Sequence, residues 1–164
     1  MGFLFLPAET GDAQQIFSLI RERIKWMDEV GIEQWNKEDY WAFYPEEYYF
    51  RAIGEKRLYI LKDEKTGAVA AAGVLSGSDG QWRQDGTKAV YLHNFVTALN
   101  ARGSGDVFLR ECENLARAEG CVVFRLDCAA DNRKLNRYYE QHGYRAAGRM
   151  QVGEYTGIKR EKQL

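Results

Sequence analysis

The sequence predicts an α/β protein with a central mixed, mostly antiparallel sheet of about six to seven strands and helices on both faces. Two observations lead to this prediction. The middle of the chain has the order strand, helix, strand, which is typical of parallel neighbours, and both ends carry hairpins, which are antiparallel. The 164 residues include two prolines and no repeat or long linker, so we expect one domain over residues 1–164.

The first half of the chain combines helical periodicity with turn residues. Apolar side chains recur at helical spacing from Asp12 to Gly31, whereas residues 32–56 show no clear period. The predicted elements are a strand at 2–7, a helix at 12–31, a short helix after Pro45, and a hairpin of strands at 58–61 and 68–75. A polar loop is expected from there to about residue 86.

The second half is more regular. The apolar run 121–128 is interrupted at Arg125 and Asp127, a pattern typical of a central strand covered on both faces. The predicted elements are a strand at 89–97, a helix at 103–119 ended by Gly120, the strand at 121–128, a helix at 132–141 stopped near Gly143, and paired terminal strands at 144–150 and 151–159.

Composition and charge exclude several classes of function. The net charge is −1, so no overall electric field attracts nucleic acid. No stretch approaches the roughly 18 continuous apolar residues that a membrane span needs. Cys112, Cys121 and Cys128 have neither zinc-site nor redox-pair spacing, and we expect all three to be buried. We therefore expect a cytoplasmic protein with no metal, no nucleic-acid partner and no membrane partner.

The stretch Asn100–Gly105, with the sequence Asn-Ala-Arg-Gly-Ser-Gly, lies where a predicted strand passes into a helix. Glycines allow close approach of the backbone, and the first N–H groups of a helix favour an anion such as phosphate. The alternative is an ordinary tight turn. A P-loop would need Gly-Lys followed by Ser or Thr, and the dinucleotide fingerprint would need a glycine at Phe108, so neither motif is present.

Further motifs surround this turn in a fixed order. They are the strand 91–96, the turn at 102–105, the helix end at 118–120, the strand 124–128, and Asn132 followed seven residues later by Tyr139 and then by Gly143-Tyr144. From Tyr91 to Tyr144 the chain resembles the GCN5-related N-acetyltransferase (GNAT) family. The first half of the chain matches that family only in its order of elements.

The resemblance implies that acetyl-CoA is bound, with its pyrophosphate at the turn and its pantetheine arm along the preceding strand. The implied cofactor-binding residues are Phe95, Val96, Thr97, Arg102, Gly103, Ser104, Gly105, Asp106, Val107, Asn132 and Tyr139. The backbone N–H of Phe95 or Val96 would polarise the thioester carbonyl. Asn100 departs from the Gln or Arg usual in the family, and we expect the acidic side chain of Asp106 to face solvent.

Acetyl transfer to an amine also needs proton transfer. The resemblance implies that Tyr139 is the general acid; the alternative is a packed core tyrosine, as we expect Tyr138 to be. His93, Asp127 and Glu33 are candidate bases, and none is favoured strongly. A strand histidine is often structural, and pairing of Asp127 with Arg125 or with a helix N-terminus is the alternative role for that carboxylate.

The acceptor is expected to contact residues 28–50. Seven acidic residues and eight aromatic residues lie there with a single basic residue, Lys37, and both groups attract cations. This composition favours a small cationic acceptor, such as a polyamine-like molecule or an amino sugar. The alternative is that the acids form a solvated surface and the aromatics pack in the core.

The sequence therefore favours an N-acetyltransferase that moves an acetyl group directly from acetyl-CoA to a primary amine of a small, cationic acceptor. A non-catalytic acyl-CoA-binding module of the same fold is the main alternative. Acetylation of protein amines, and transfer to oxygen or of longer acyl groups, also remain open, as does a homodimer.

Overall fold

A computed structural model describes residues 2–164 of the chain. Its elements begin with a strand and a long helix and end with a hairpin. They are β1 (Phe3–Pro7), α1 (Ala13–Val30), α2 (Tyr40–Phe43), α3 (Glu46–Gly54), β2 (Leu58–Asp63), β3 (Val69–Ser76), β4 (Ala89–Thr97), α4 (Ser104–Ala118), β5 (Val123–Ala129), α5 (Arg133–Gln141), β6 (Arg145–Val152) and β7 (Tyr155–Gln163).

The seven strands form one sheet in the order β1-β2-β3-β4-β5-β7-β6. The pairs β1–β2, β2–β3, β5–β7 and β6–β7 are antiparallel. Strands β4 and β5 are parallel and pair through Ala89–Tyr91 and Val123–Arg125. This mixed sheet confirms the predicted fold class, and its parallel pair β4–β5 belongs to the strand–helix–strand segment in the middle of the chain.

Contacts along the chain define two compact units. The first runs through Leu75 and takes in His93–Cys112, and the second comprises Ser76–Leu92 and Glu113–Leu164. Strand β4 and helix α4 each contribute residues to both units. One domain over residues 1–164 stays a prediction.

The first unit has an apolar core that follows from the period of α1. Ile16 and Ile20 are one helical turn apart, and Phe17 is next to Ile16 on the same side of the helix. All three side chains are buried. They share a core cluster with residues of α3 and the neighbouring strands, among them Tyr49, Ala52, Leu58, Ile60, Val74 and Val96. Gly31 ends α1 in the left-handed conformation, and its N–H donates to the carbonyl of Met27.

The second unit has a buried arginine at its centre. The guanidinium of Arg125 donates to the phenol of Tyr91 (2.9 Å), to Glu161 (3.1 Å) and to Asp85 (3.2 Å). It also lies 4.8 Å from the ring centroid of Trp82. These contacts attach the loop between β3 and β4 to strand β5. The charge of Arg125, which interrupts the apolar run of this strand, is therefore paired within the protein.

Several predicted details are wrong. The helical turn α2 lies in the stretch without a clear period and was not among the predicted elements. The terminal strands meet at Gly153-Glu154, so β7 begins at Tyr155 rather than at residue 151, because Gly153 supplies the positive φ (58°) of the turn. Cys121 is half-buried rather than buried, since it lies at the entrance to β5.

No helix within residues 2–164 has both the length and the apolar content that crossing a lipid bilayer requires.

Glu113 on α4 is a buried carboxylate with two close partners. It is 5% exposed and accepts from the phenol of Tyr144 at 2.7 Å. The ammonium group of Lys162 on β7 lies 2.9 and 3.1 Å from its two oxygens. The contact joins α4 to the C-terminal strand within the second unit.

We expect Glu113→Gln to lower the free energy of unfolding by about 1–3 kcal/mol, because it removes the charge that pairs with Lys162 and weakens a hydrogen bond to a charged group. Glu111→Gln is the matched control on the same helix, since its ion pair with Arg110 lies at the surface; we expect a change within about 0.5 kcal/mol. Denaturant unfolding measures both, and equal losses would contradict the assignment.

Candidate functional site

Strand β4 contains one residue with an unusual backbone. Asn94 has φ of +53° in the middle of the strand. Asparagine is among the few non-glycine residues that adopt this left-handed conformation readily. A residue in this conformation within a strand nevertheless interrupts the regular hydrogen bonding between strands. This conformation lies directly before Phe95 and Val96, along which the resemblance implied that the pantetheine arm binds.

The side chain of Asn94 is held by two phenols. Tyr48 donates to its Oδ1 (2.8 Å), and its Nδ2 donates to the phenol oxygen of Tyr40 (2.8 Å). Tyr40 in turn shares a short hydrogen bond with Tyr49. Burial raises the pKa of Tyr40 and of Tyr49, and raises the pKa of Tyr48 to about 12. The three phenols are therefore neutral at physiological pH.

The far end of β4 is fixed on both sides. The N–H of Ala98 donates to the carbonyl of Ala70 on β3 (2.8 Å). Arg23 on α1 donates to both the carbonyl and the hydroxyl oxygen of Thr97 (2.8 and 2.9 Å). Because N–H groups alternate sides along a strand, the N–H groups of Phe95 and Thr97 point away from β3. Of the two predicted donors to the thioester carbonyl, Phe95 is thus the one whose N–H does not face β3.

The side chains beside this backbone pack into the first unit. The ring of Phe95 stacks on Phe108 of α4, with centroids 5.2 Å apart and planes at 14°. Val96 is buried in the core cluster. Apart from backbone groups, these two residues can therefore offer a ligand only an apolar surface.

The turn before α4 has the glycine geometry that the sequence predicted. Gly103 has φ of +81°, and a Cβ there would meet open space. Ser104 is fully buried: its hydroxyl donates to the Ala70 carbonyl (3.3 Å) and its N–H to the Ala101 carbonyl (3.1 Å). The N–H of Val107 donates to Gly103 (3.3 Å).

Fewer amides are available at this turn than the sequence predicted, because those of Ser104 and Val107 already donate within the protein. Within residues 2–164, the N–H groups of Gly103 and Gly105 have no acceptor. Arg102 is exposed beside them, and Asp106 is exposed as expected. Two amides, a mobile cation and the positive end of a 15-residue helix remain for an anion.

The second unit carries the predicted acid. Helix α5 begins after Asn132, whose side-chain oxygen accepts from the N–H of Leu135 (3.0 Å). Tyr139 is 5% exposed and packs against the rings of Tyr138 and Tyr144. Burial raises its pKa, and Cys128 nearby adds to the effect. Tyr138, expected to be a core residue, is instead half-buried, because Tyr139 occupies the inner face of α5.

Asp127 on β5 has a partner that the sequence did not identify. The phenol of Tyr155 donates to its carboxylate at 2.7 Å, and burial raises the pKa of that phenol. Arg125, the partner considered from the sequence, instead pairs with Asp85 and Glu161. The sequence could have identified Tyr155 as this partner only through the correct start of the last strand, which was predicted four residues too early, at residue 151.

The remaining candidate bases lie in the first unit. His93 is half-buried on β4, just before Asn94. The side chain of Glu33 is 69% exposed and forms an ion pair with Lys37 (3.9 Å). The structure therefore places His93 and Glu33 in one unit and Asp127 and Tyr139 in the other.

Most of the acidic residues at 28–50 are exposed, and most of the aromatic residues pack in or against the core, although Phe43 and Phe50 are exposed and Glu46 lines a cavity with Trp41. Glu29 and Glu46 form surface ion pairs with Lys25 (4.0 Å) and Arg21 (3.7 Å). The aromatic side chains that join or pack against the core cluster are Trp35, Tyr40, Trp41, Tyr44, Tyr48 and Tyr49. This arrangement favours the alternative role of both groups, in which the acidic side chains are solvated and the aromatic side chains pack in the core. Among the residues described, no group of three or more histidines, cysteines and carboxylates is arranged to hold a metal ion.

Comparison with known protein families decides what this strand, turn and helix belong to. The family model for the acetyltransferase (GNAT) family matches residues 18–144. The chain belongs to the GNAT family. No curated protein sequence matches it.

Solved structures share the GNAT fold over the whole chain. A GNAT acetyltransferase from Listeria monocytogenes is 24% identical, with TM-score 0.79 and coverage of 99% of this chain and 95% of that one. One from Streptococcus agalactiae is 20% identical (TM-score 0.80; 100% and 96% covered). The PaiA N-acetyltransferase from Thermoplasma acidophilum, solved with coenzyme A, is 16% identical (TM-score 0.78; 100% of both chains). At these identities the likeness establishes the fold.

Five of the ten tyrosines of this GNAT protein have a raised pKa: Tyr40, Tyr48, Tyr49, Tyr139 and Tyr155. We expect these phenols to ionise well above pH 10, the ordinary pKa of tyrosine, when the phenolate absorbance of the native protein is titrated. In denaturant all ten should titrate together.

The same shifts predict the pH dependence of stability. Above pH 10 the folded chain retains protons that the unfolded chain releases, so the free energy of unfolding is full below pH 10 and falls as the pH rises through the raised values. A titration of the native protein in which all ten phenols ionise near pH 10 would contradict the raised pKa of these five tyrosines.

Proposed function

We propose that the protein is an acetyl-CoA-dependent N-acetyltransferase that moves the acetyl group directly to a primary amine of a small, cationic acceptor. The observation that carries the proposal is the turn at Arg102–Gly105, which in a GNAT family member leads from β4 into α4 with two glycine N–H groups lacking acceptors within residues 2–164. The coenzyme A complex of the Thermoplasma acidophilum protein with the same fold supports the donor.

The donor site is proposed on the first unit. The N–H groups of Gly103 and Gly105 and the guanidinium of Arg102 bind the pyrophosphate, assisted by the dipole of α4. Two amides of the pantetheine arm pair with the outward backbone groups of β4 at Phe95 to Thr97, as an added strand would. Ser104, Asp106 and Val107 shape the turn, and Asn132 on the second unit stays a proposed contact.

The chemistry is an attack of a neutral amine on the thioester carbonyl. A C–N bond forms, the carbonyl oxygen becomes an oxyanion, and the C–S bond then breaks to release the coenzyme A thiolate, which takes one proton. The N–H of Phe95 is proposed to stabilise the oxyanion. Tyr139, which burial keeps protonated at neutral pH, is proposed to donate the proton to sulfur.

An alkylammonium acceptor must first lose a proton. The proposed bases are Asp127, His93 and Glu33. Asp127 is supported by its half-buried position on β5, and His93 by its position next to Asn94. Glu33 has the least support, since it is exposed and paired with Lys37.

The acceptor proposal rests on the half-buried aromatic faces of the first unit. Trp35, Tyr44 and Tyr48 pack at the margin of the core cluster, and their exposed faces suit an ammonium group. The surface carboxylates of residues 28–47 add a negative potential that favours approach of a cation.

We expect Gly103→Ala to raise the dissociation constant of coenzyme A by about tenfold or more, which is about 1.4 kcal/mol, because a Cβ would occupy the open space proposed for the pyrophosphate. Gly67→Ala is the matched control: Gly67 has φ of +71° and open space at its Cβ, but lies in the β2–β3 turn. Calorimetric titration compares them. Equal affinities would overturn the donor site.

We expect Tyr139→Phe to reduce acetyl transfer by about 10²–10⁴-fold while coenzyme A binding persists, because the phenol is removed and the ring remains. Tyr138→Phe, one position away on α5, is the control and should retain activity. Thiol release with a panel of polyamines, amino sugars and peptides measures the rates. Acetylation of peptides alone would contradict the small acceptor, and acetylation of no amine would favour the non-catalytic acyl-CoA-binding module.

A further inference from the structure

We propose that Asn94 is a positioning residue of the reaction: its side chain, held by Tyr40 and Tyr48, fixes the left-handed backbone of β4 so that the N–H of Phe95 faces the thioester carbonyl. This inference rests on the proposed function. It assigns a role to three side chains that make no proposed contact with the donor.

The backbone at Asn94 is the first observation. The left-handed region costs most non-glycine residues about 1–2 kcal/mol and asparagine less, so hydrogen bonds to the Asn94 side chain can hold this conformation within a strand. In the described chain the other such residue is Lys56, in the connection from α3 to β2. Asn94, in contrast, lies within a strand, and that strand, β4, is the central strand of the sheet.

The surroundings of the Asn94 amide are the second observation. Its oxygen accepts from Tyr48 and its nitrogen donates to Tyr40, each at 2.8 Å, so both ends of the amide are engaged. Both partners come from the segment of α2 and α3, 46 to 54 residues earlier in the chain.

The link to the reaction is the peptide plane between Asn94 and Phe95. That plane carries the N–H of Phe95, and its orientation is set by the backbone torsions of Asn94. Further along, Arg23 and the carbonyl of Ala70 hold Thr97 and Ala98. The N–H of Phe95 is therefore fixed from both directions before any ligand binds. A donor that is already oriented does not have to reorganise as the oxyanion forms.

The hydrogen bonds of the Asn94 side chain connect two parts of the proposed site. Tyr40 and Tyr48 belong to the aromatic segment proposed for the acceptor, whereas Phe95 belongs to the donor strand. A neutral hydrogen-bonded lock suits this place, because a charged partner would compete for the oxyanion or the acceptor ammonium. Neutral phenols leave the polarisation of the thioester to the backbone N–H.

The carbonyl stretch of bound acetyl-CoA, labelled with ¹³C at the acetyl carbonyl, reports this polarisation directly and needs no acceptor. In the wild type we expect the infrared band to lie at lower frequency than in free acetyl-CoA. Asn94→Gly permits the positive φ but removes the amide that holds it, Asn94→Ala disfavours the positive φ and also removes the amide, and Tyr48→Phe removes one of the two hydrogen bonds. All three should lose most of the shift, while coenzyme A affinity measured by calorimetry stays unchanged.

Tyr49→Phe is the matched control, because it removes a buried phenol of the same cluster that contacts Tyr40 but not Asn94. It should keep the wild-type band. If Asn94→Ala does not fold, Tyr48→Phe still decides the question. A wild-type band at the free frequency, or a wild-type shift in Asn94→Gly and Tyr48→Phe, would overturn this inference; failure of the wild type to bind acetyl-CoA would overturn the proposed function itself.

Discussion

The left-handed backbone at Asn94 is the constraint on which the proposed donor site depends. Strand β4 pairs in parallel with β5 through Ala89–Tyr91, and only three residues later it contains a conformation that regular strands avoid. The hydrogen bonds from Tyr48 and to Tyr40 offset that cost. One strand is thus a central member of the sheet and, in the proposed function, also supplies the backbone groups that bind the donor.

The parts of the fold that sequence reasoning predicted are those with a strong period. Strand β4 has the predicted bounds of 89–97, and α4 buries Phe108, Cys112 and Ala116 at four-residue spacing. The parts it missed depend on tertiary contacts. Helix α2 is a single turn whose Tyr40 is buried by packing rather than by a period, and the terminal turn at Gly153 was not distinguished from the other glycines nearby.

The site divides in the same way. The glycine turn before α4 could be predicted because glycine is itself the signal for a left-handed backbone, whereas phosphate binding at this turn stays a proposal. Asn94 and Tyr155 could not, since asparagine in a strand and tyrosine near a chain end have no distinguishing pattern. Their roles follow from torsion and register, which exist only after folding. The same limit explains why Ser104 looked available for phosphate while its hydroxyl and N–H are engaged by β3 and Ala101.

Burial of Tyr139 has two opposite effects on its proposed role. It keeps the phenol protonated at neutral pH, as an acid must be, but it also raises the pKa, which makes release of that proton to a thiolate less favourable. The overall reaction of a neutral amine resolves this conflict, because it moves exactly one proton from nitrogen to sulfur. A phenol that passes its proton to sulfur while it receives one from nitrogen stays neutral before and after. A raised pKa then keeps the phenol protonated both before and after the step, which is consistent with the proposed role of Tyr139 as a proton relay.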